Sequence, residues 1–233
     1  MSVAIMQPYF FPYLGYWQLI NAVDRFILYD NIKFTKKSWI RRNRILLNGV
    51  DSLFTLPVKH DSDSLDIRER VLFDSFDVER EKILKKIKDA YKRAPQYHNV
   101  FPIIEECFRY ESKNLFQYIH HSIVTVATYL EIETSIIISS NIEMDHSLKN
   151  KDRVIANCIA LSEDTYINPV GGVELYDKTY FLENGINLHF IKMRSLDYKQ
   201  FENEFISNLS IIDVLMFNSK EEVKKMLKQY DLI

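Results

Sequence analysis

The hydrophobic pattern opens with Ser2-Val3-Ala4-Ile5, an apolar run too short for a helix. Pro8, Pro12 and Gly15 follow closely, so the run reads as a buried strand feeding a tight loop rich in aromatic residues. From Leu14, apolar residues recur at Trp17, Leu19, Ile20 and Val23, the spacing of one helix face. Arg25-Phe26-Ile27-Leu28-Tyr29 is a second strand, bounded by Asp30-Asn31. Two strands joined by a helical crossover predict a parallel βαβ unit, whose ligands sit beyond the carboxyl ends of the strands. The Gln7–Tyr16 loop and Asp30 both fall at that end.

The pattern continues as strand–helix alternation. Arg44–Leu47 and Ser52–Leu56 flank Asn48-Gly49, a hairpin signal. A further strand is predicted over Ile67–Phe73. Asp77 is expected to cap a helix that buries Ile83, Leu84, Ile87, Ala90 and Tyr91, and helical stripes follow from Val100 to Phe108 and from Leu115 to Leu130. Thr134–Ile138 is β-branched and reads as a buried strand, Lys151–Leu161 as a helix, and Thr165–Ile167 as a strand running into Asn168-Pro169-Val170-Gly171-Gly172. Tyr176 is expected to begin the next helix, Ile186–Ile191 to form the last strand, Leu209–Leu215 an apolar helix containing Asp213, and Glu221–Tyr230 a terminal helix. The prediction is a single α/β domain over residues 1–233 with a mainly parallel sheet, and with 77–131 as a helical cap or insertion.

Composition narrows the possibilities. A formal charge of -2 over 233 residues gives no global attraction to nucleic acid or to a membrane surface. Five glycines, with neither a P-loop nor a GxGxxG pattern, exclude the common glycine-rich phosphate cradles. Cys107 and Cys158 sit in apolar helical contexts and read as buried thiols of a reducing compartment. No apolar run is long enough to span a bilayer and no secretory leader pattern opens the chain, so a cytoplasmic location is expected. His120 and His121 are adjacent on a helix and diverge by about 100°, and no paired-ligand spacing is present, so no protein-built metal site is expected.

Local charge is less even. Lys33, Lys36, Lys37, Arg41, Arg42 and Arg44 fall in one stretch that contains no acid and also holds Trp39 and Asn43. A charge run is usually a solvated face, but this one abuts the predicted ligand end of a parallel sheet, where Arg forks and Lys charges suit phosphate or carboxylate oxygens and Trp offers a face to a sugar or base. Lys59 follows the end of a strand and could stabilise an oxyanion; His60, beside the polar Asp61–Ser64 loop, is a weaker candidate base. Gly171-Gly172, between a strand and a helix, is either a tight connection or a place where backbone N–H groups approach an anion. Asp213 is either a buried hydrogen-bonding group or a site carboxylate.

Gln7-Pro8-Tyr9-Phe10-Phe11-Pro12 with Gly15, Asp30-Asn31-Ile32-Lys33-Phe34, Ser38-Trp39 and Arg42-Asn43-Arg44-Ile45 together resemble the WbqC-like protein family of bacteria. Leu56-Pro57-Val58-Lys59, Tyr91 with Ala94-Pro95, Pro169 with Gly171-Gly172, Tyr176, Tyr198 with Gln200, and Leu209–Asp213 extend the resemblance along the chain. It implies a role in O-antigen or other surface-polysaccharide biosynthesis, and transfer of an acyl or aminoacyl (glycyl) group to the amine of a nucleotide-linked sugar. Under that implication Asp30 and Lys59 are the candidate catalytic residues. Gln7, Tyr9, Tyr13, Gly15, Tyr16, Lys37, Trp39, Arg42, Asn43, Gly171, Gly172 and Tyr176 are the candidate binding residues. The donor would be an activated acyl group or an aminoacyl-tRNA, the one nucleic-acid partner considered. The loop Phe11–Tyr16 is also placed like the phosphate-binding segment of the nucleotidyltransferase superfamily, which implies a Rossmann-like start to the fold and, as an alternative activity, ATP/Mg-dependent nucleotidyl transfer or carboxylate activation. Tyr13 and Tyr16 stand where that superfamily has histidines and carry no positive charge near neutral pH. A non-catalytic sugar-nucleotide-binding protein is the third reading.

Overall fold

The computed structural model describes residues 1–233. Its centre is a six-stranded sheet built from β1 (Ser2–Met6), β2 (Arg25–Leu28), β5 (Ser135–Ile138), β6 (Thr165–Pro169), β7 (Asn187–Met193) and β8 (Tyr230–Leu232). The order across the sheet is β5-β2-β1-β6-β7-β8. All neighbours are parallel except β7 and β8. Helix α1 (Leu14–Asn21) joins β1 to β2, which pair with Val3 opposite Arg25 and Met6 opposite Leu28, so the predicted βαβ unit is present. The protein is α/β with a mostly parallel, Rossmann-like sheet.

A parallel sheet needs cover on both faces, and the period-two alternation of its strands divides the core accordingly. Val3, Ile5, Ile27, Tyr166, Leu188 and Phe190 turn to one side, where α5 (Asn150–Ala160) and α6 (Lys178–Glu183) supply Val154, Ile155, Cys158 and Phe181. Ala4, Phe26, Leu28, Ile167 and Ile191 turn to the other. There they join the larger core formed with α1, the helices α2 (Phe76–Tyr91), α3 (Tyr97–Phe108), α4 (Leu115–Tyr129) and α7 (Ile211–Phe217), and the hairpin β3 (Arg42–Leu47) and β4 (Val50–Thr55). The hairpin turns at Asn48 and Gly49, both at positive φ, as a two-residue turn between antiparallel strands requires. Cys107 and Cys158 are buried free thiols, each pushed up to about 12 by loss of solvent. No helix is long and apolar enough to cross a membrane.

Several elements depart from the pattern reading. Ile67–Phe73 is a 3-10 turn at Ile67–Glu69 followed by isolated bridges, Val58 with Leu72 and Val71 with Asn114, because no continuous strand lies beside it. Helix α2 begins at Phe76, one residue before the expected Asp77 cap. Helix α6 begins at Lys178 behind Asp177, whose side chain accepts from the Thr179 N–H at 2.9 Å, so Tyr176 lies in the loop before it. β5 is only half-buried, since it pairs with β2 alone and forms the sheet edge. The last strand is β8, not β7; α8 (Lys220–Met226) ends early and lets the final residues run back along β7.

Candidate active site

A cleft of about 780 Å³ opens at the carboxyl ends of β1, β2 and β6. After β1 the chain crosses to β2 on one side of it, while β6 enters on the other, so the cleft lies at the topological switch point of the sheet, where open α/β folds place their ligands. Its walls come from the Met6–Tyr16 loop, the Ser38-Trp39-Ile40 stretch, the start of α5 and the Asn168–Tyr176 connection.

The first wall is held rigidly. The carbonyl of Gln7 accepts from the Tyr16 hydroxyl at 2.9 Å, that of Pro12 from Trp17 Nε1 at 3.1 Å, and that of Phe11 from the Ser210 hydroxyl at 2.8 Å. Asn43, 1 % exposed, donates through Nδ2 to the carbonyls of Phe10, at 3.2 Å, and of Phe11. Its Oδ1 accepts from the Arg44 N–H at 2.8 Å and from the Tyr9 hydroxyl at 3.4 Å. This clamp holds Phe11 at φ 46, a region a bulky residue rarely enters. Phe10 and Phe11 are not ligand groups: both are fully buried and pack on Phe108, at 5.2 and 5.8 Å between ring centroids. Tyr9, Tyr13 and Tyr16, in contrast, line the cleft. Gly15 does not line it; a Cβ there would stand 2.6 Å from the Tyr13 ring, so glycine is what lets that ring lie back on α1.

The second wall carries Trp39, 42 % exposed, with its ring 6.2 Å from that of Tyr9. Arg42 lies 4.9 Å and Arg44 5.6 Å over the Trp39 ring. Arg42 also donates to the Lys37 carbonyl, so Lys37 and Arg42 flank the cleft edge without lining it. The rest of the basic stretch is engaged elsewhere: Lys36 with Asp63 at 2.9 Å, Arg44 with Asp51 at 3.1 Å, and Arg41 with the Leu56 carbonyl at 2.9 Å.

The start of α5 brings Asn150 and Arg153 into the lining, with Lys149 at its N-cap. Arg153 is anchored by Asn31 and lies 4.9 Å over the Tyr29 ring. On β6, Tyr166 donates to Asn168 Oδ1 at 3.1 Å, leaving the Asn168 amide N–H groups as donors at the cleft wall. Gly172 is required by this arrangement, because a Cβ would sit 1.8 Å from Asn168 Nδ2; at Gly171 it would meet nothing within 4 Å. Tyr176 completes this side. Burial raises the hydroxyls of Tyr9, Tyr13, Tyr16, Tyr29, Tyr166 and Tyr176, that of Tyr29 to about 12, so each is a neutral donor near neutral pH.

Asp30 and Lys59 stand outside this lining. Asp30 is 2 % exposed, and its two oxygens accept from the Ser140 N–H at 2.9 Å and the Ser140 hydroxyl at 2.6 Å, tying the end of β2 to the turn after β5. Lys59 pairs with Asp74 at 2.7 Å on the surface. The residues the sequence did not single out are Tyr29, Lys149, Asn150, Arg153, Tyr166 and Asn168. Apart from Tyr166, the second residue of β6, their shared signal is position at or just past the carboxyl end of a strand, or at the start of α5. No group of three or more His, Cys, Asp or Glu side chains comes together that could hold a metal ion.

No solved structure matches the chain. It is 26 % identical over 230 residues, 97 % of each chain, to an uncharacterized protein of Mycobacterium tuberculosis. The model of the WbqC-like protein family matches residues 7–225, nearly the full length, and the chain belongs to that family.

Proposed function

We propose that the protein is a transferase of bacterial surface-polysaccharide biosynthesis that joins an acyl or aminoacyl group, such as glycyl, to the amine of a nucleotide-linked sugar. The observation that carries this reading is the composition of the switch-point cleft: aromatic faces, neutral hydroxyl and amide donors, and the cations Lys149 and Arg153, with no carboxylate in the lining. Such a surface suits a ligand that is flat at one end, rich in hydroxyls and negatively charged. Trp39 and Tyr9 offer the stacking face for base or sugar, with Lys37 and Arg42 beside them for diphosphate oxygens. In this reading Tyr29, Tyr176 and the Asn168 amide, all in the lining, take the sugar hydroxyls. The proposed roles do not extend to Asp30 or Lys59, whose charged atoms are engaged away from the lining.

Calorimetric titration with a panel of nucleotide-linked amino sugars tests the first half of the proposal. At least one should bind, and Trp39→Ala should weaken it about tenfold or more, the size of a lost stacking contact. Mass detection of an amide on that sugar, formed with an acyl donor, tests the second half. Absence of binding across the panel would sink the reading. The same lining also favours a second one, a sugar-nucleotide-binding protein without chemistry of its own, because the cleft holds no side chain that could take a proton at neutral pH. Tight binding with no amide from any donor decides for it.

A further inference from the structure

Amide formation on a sugar amine releases a proton, and something must receive it. In most acyl transfers that group is a carboxylate or imidazole within hydrogen-bond reach of the nitrogen. The residues lining this cleft include no Asp, Glu, His or Cys. Its hydroxyl groups are six tyrosines, all raised by burial, and Ser38. Asp30, the nearest acid in sequence to the Tyr29 wall, has both oxygens committed to Ser140. The lining does provide two cations, Lys149 at the N-cap of α5 and Arg153 one turn on, the latter's guanidinium held in place by Asn31. A fixed guanidinium with an ammonium beside it suits a phosphate group.

Resting on the transferase reading above, we infer that the acyl donor is an acyl phosphate-type mixed anhydride, that its phosphate is held by Lys149 and Arg153, and that this phosphate receives the proton of the attacking amine. The neutral sugar amine attacks the acyl carbon, forming the N–C bond, and the C–O bond to phosphorus breaks with its electron pair going to phosphate oxygen. The nitrogen's proton passes to the departing phosphate, which leaves as the hydrogen phosphate; nothing is oxidised or reduced. As the C–O bond breaks, the electron pair it delivers makes the departing phosphate a progressively stronger base at the place where the nitrogen gives up its proton. The donor thus supplies both the activation and the base that the cleft lacks. The acceptor's own diphosphate is left to the Trp39 side, where Lys37 and Arg42 lie.

The test uses the full chain with a nucleotide-linked amino sugar first shown to bind by calorimetry, and compares acetyl phosphate, acetyl-coenzyme A and an aminoacyl ester as donors. Each is measured against a protein-free control. Acetyl phosphate should give the N-acetylated sugar with one inorganic phosphate released per amide. Lys149→Ala and Arg153→Ala should each slow that reaction about tenfold or more, the effect of losing one charged hydrogen bond. Both should slow transfer from acetyl phosphate far more than they weaken the calorimetric affinity for the amino sugar, and thermal unfolding reports that the variants are folded. Product from the thioester or the ester alone, or no product from any donor despite sugar binding, overturns the donor assignment and leaves the sugar-binding reading standing. Failure of every amino sugar to bind removes both.

Discussion

Asn43 decides the shape of the cleft without lining it. Its amide hydrogens satisfy the carbonyls of Phe10 and Phe11 while its oxygen accepts from Arg44 N–H, so one side chain fixes the loop to the hairpin. Asn43→Ala leaves two carbonyls without that donor in a buried setting, and the chain should lose about 2–3 kcal/mol of stability. A denaturant midpoint measurement checks this; a change within about 0.5 kcal/mol, typical of a neutral surface substitution, would show that the clamp is dispensable. The two adjacent glycines give a sharper contrast. Gly171→Ala meets open space and should leave ligand affinity unchanged, whereas Gly172→Ala must displace the Asn168 amide and should reduce affinity about tenfold, one lost hydrogen bond's worth. Equal behaviour of the two variants in calorimetry would show that Asn168 takes no part. Sequence alone cannot separate the pair, because the difference lies in a neighbour brought to Gly172 by β6. It also cannot sort the aromatic loop: Phe10 and Phe11 read the same as Tyr9 and Tyr13, and it is packing against Phe108, and for Phe10 also Tyr118 and Phe54, that draws the phenylalanines inward.

Among the elements, β1, α1, β2 and the β3–β4 hairpin were legible because each carries its own local signal: a short apolar run, a helical stripe, an Asn-Gly turn. The role of α5 was not. Its hydrophobic face announces only that it packs on the sheet, and nothing local says that Lys149 and Arg153 will share a cleft with Tyr166 and Asn168; that depends on the order in which β1 and β6 join the sheet. Helix α7 shows the same limit in the core. Asp213, fully buried, accepts from Tyr91 at 2.8 Å, Tyr198 at 2.6 Å and Gln200 at 2.7 Å, and Tyr91 in turn accepts from the Leu46 N–H at 2.8 Å. The structural role weighed for this acid from sequence is the one its contacts display. One carboxylate thereby links α7 to α2, to β3 and to the loop before α7. Burial raises its pKa and those three donors oppose the rise. Asp213→Ala orphans all three donors at once and should cost about 3 kcal/mol or more, and Asp213→Asn, which keeps an acceptor oxygen, should cost less. If thermal unfolding ranks the two variants the other way, the network is not what holds α7 in place.

On the scale of the whole molecule, the join between the end of the helical segment and α8 is electrostatic as well as apolar. Glu131, just past the end of α4, receives Lys220 and Lys224 from successive turns of α8, each at 2.5 Å. The two ammonium groups hold its carboxyl down at about 2, below the ordinary value of 4.5. A carboxylate whose folded pKa is depressed binds protons more readily when the chain is unfolded, so its contribution is complete above the unfolded value and fades as pH falls from about 4.5 toward 2. The pair is exposed, so added salt should also weaken it. Comparing wild type with Glu131→Gln by denaturant unfolding across pH 2–7 isolates this contribution, because both chains share every other titrating group. The gap between them should be constant near neutrality, shrink over the window from about 4.5 to 2, and narrow further in high salt. A gap that persists unchanged at pH 2 would mean that Glu131 joins α4 to α8 through packing of its side chain rather than through its charge, and α8 would then owe its position to buried Val223 and Leu227 and to the bond from Gln18 Nε2 to the Met226 carbonyl.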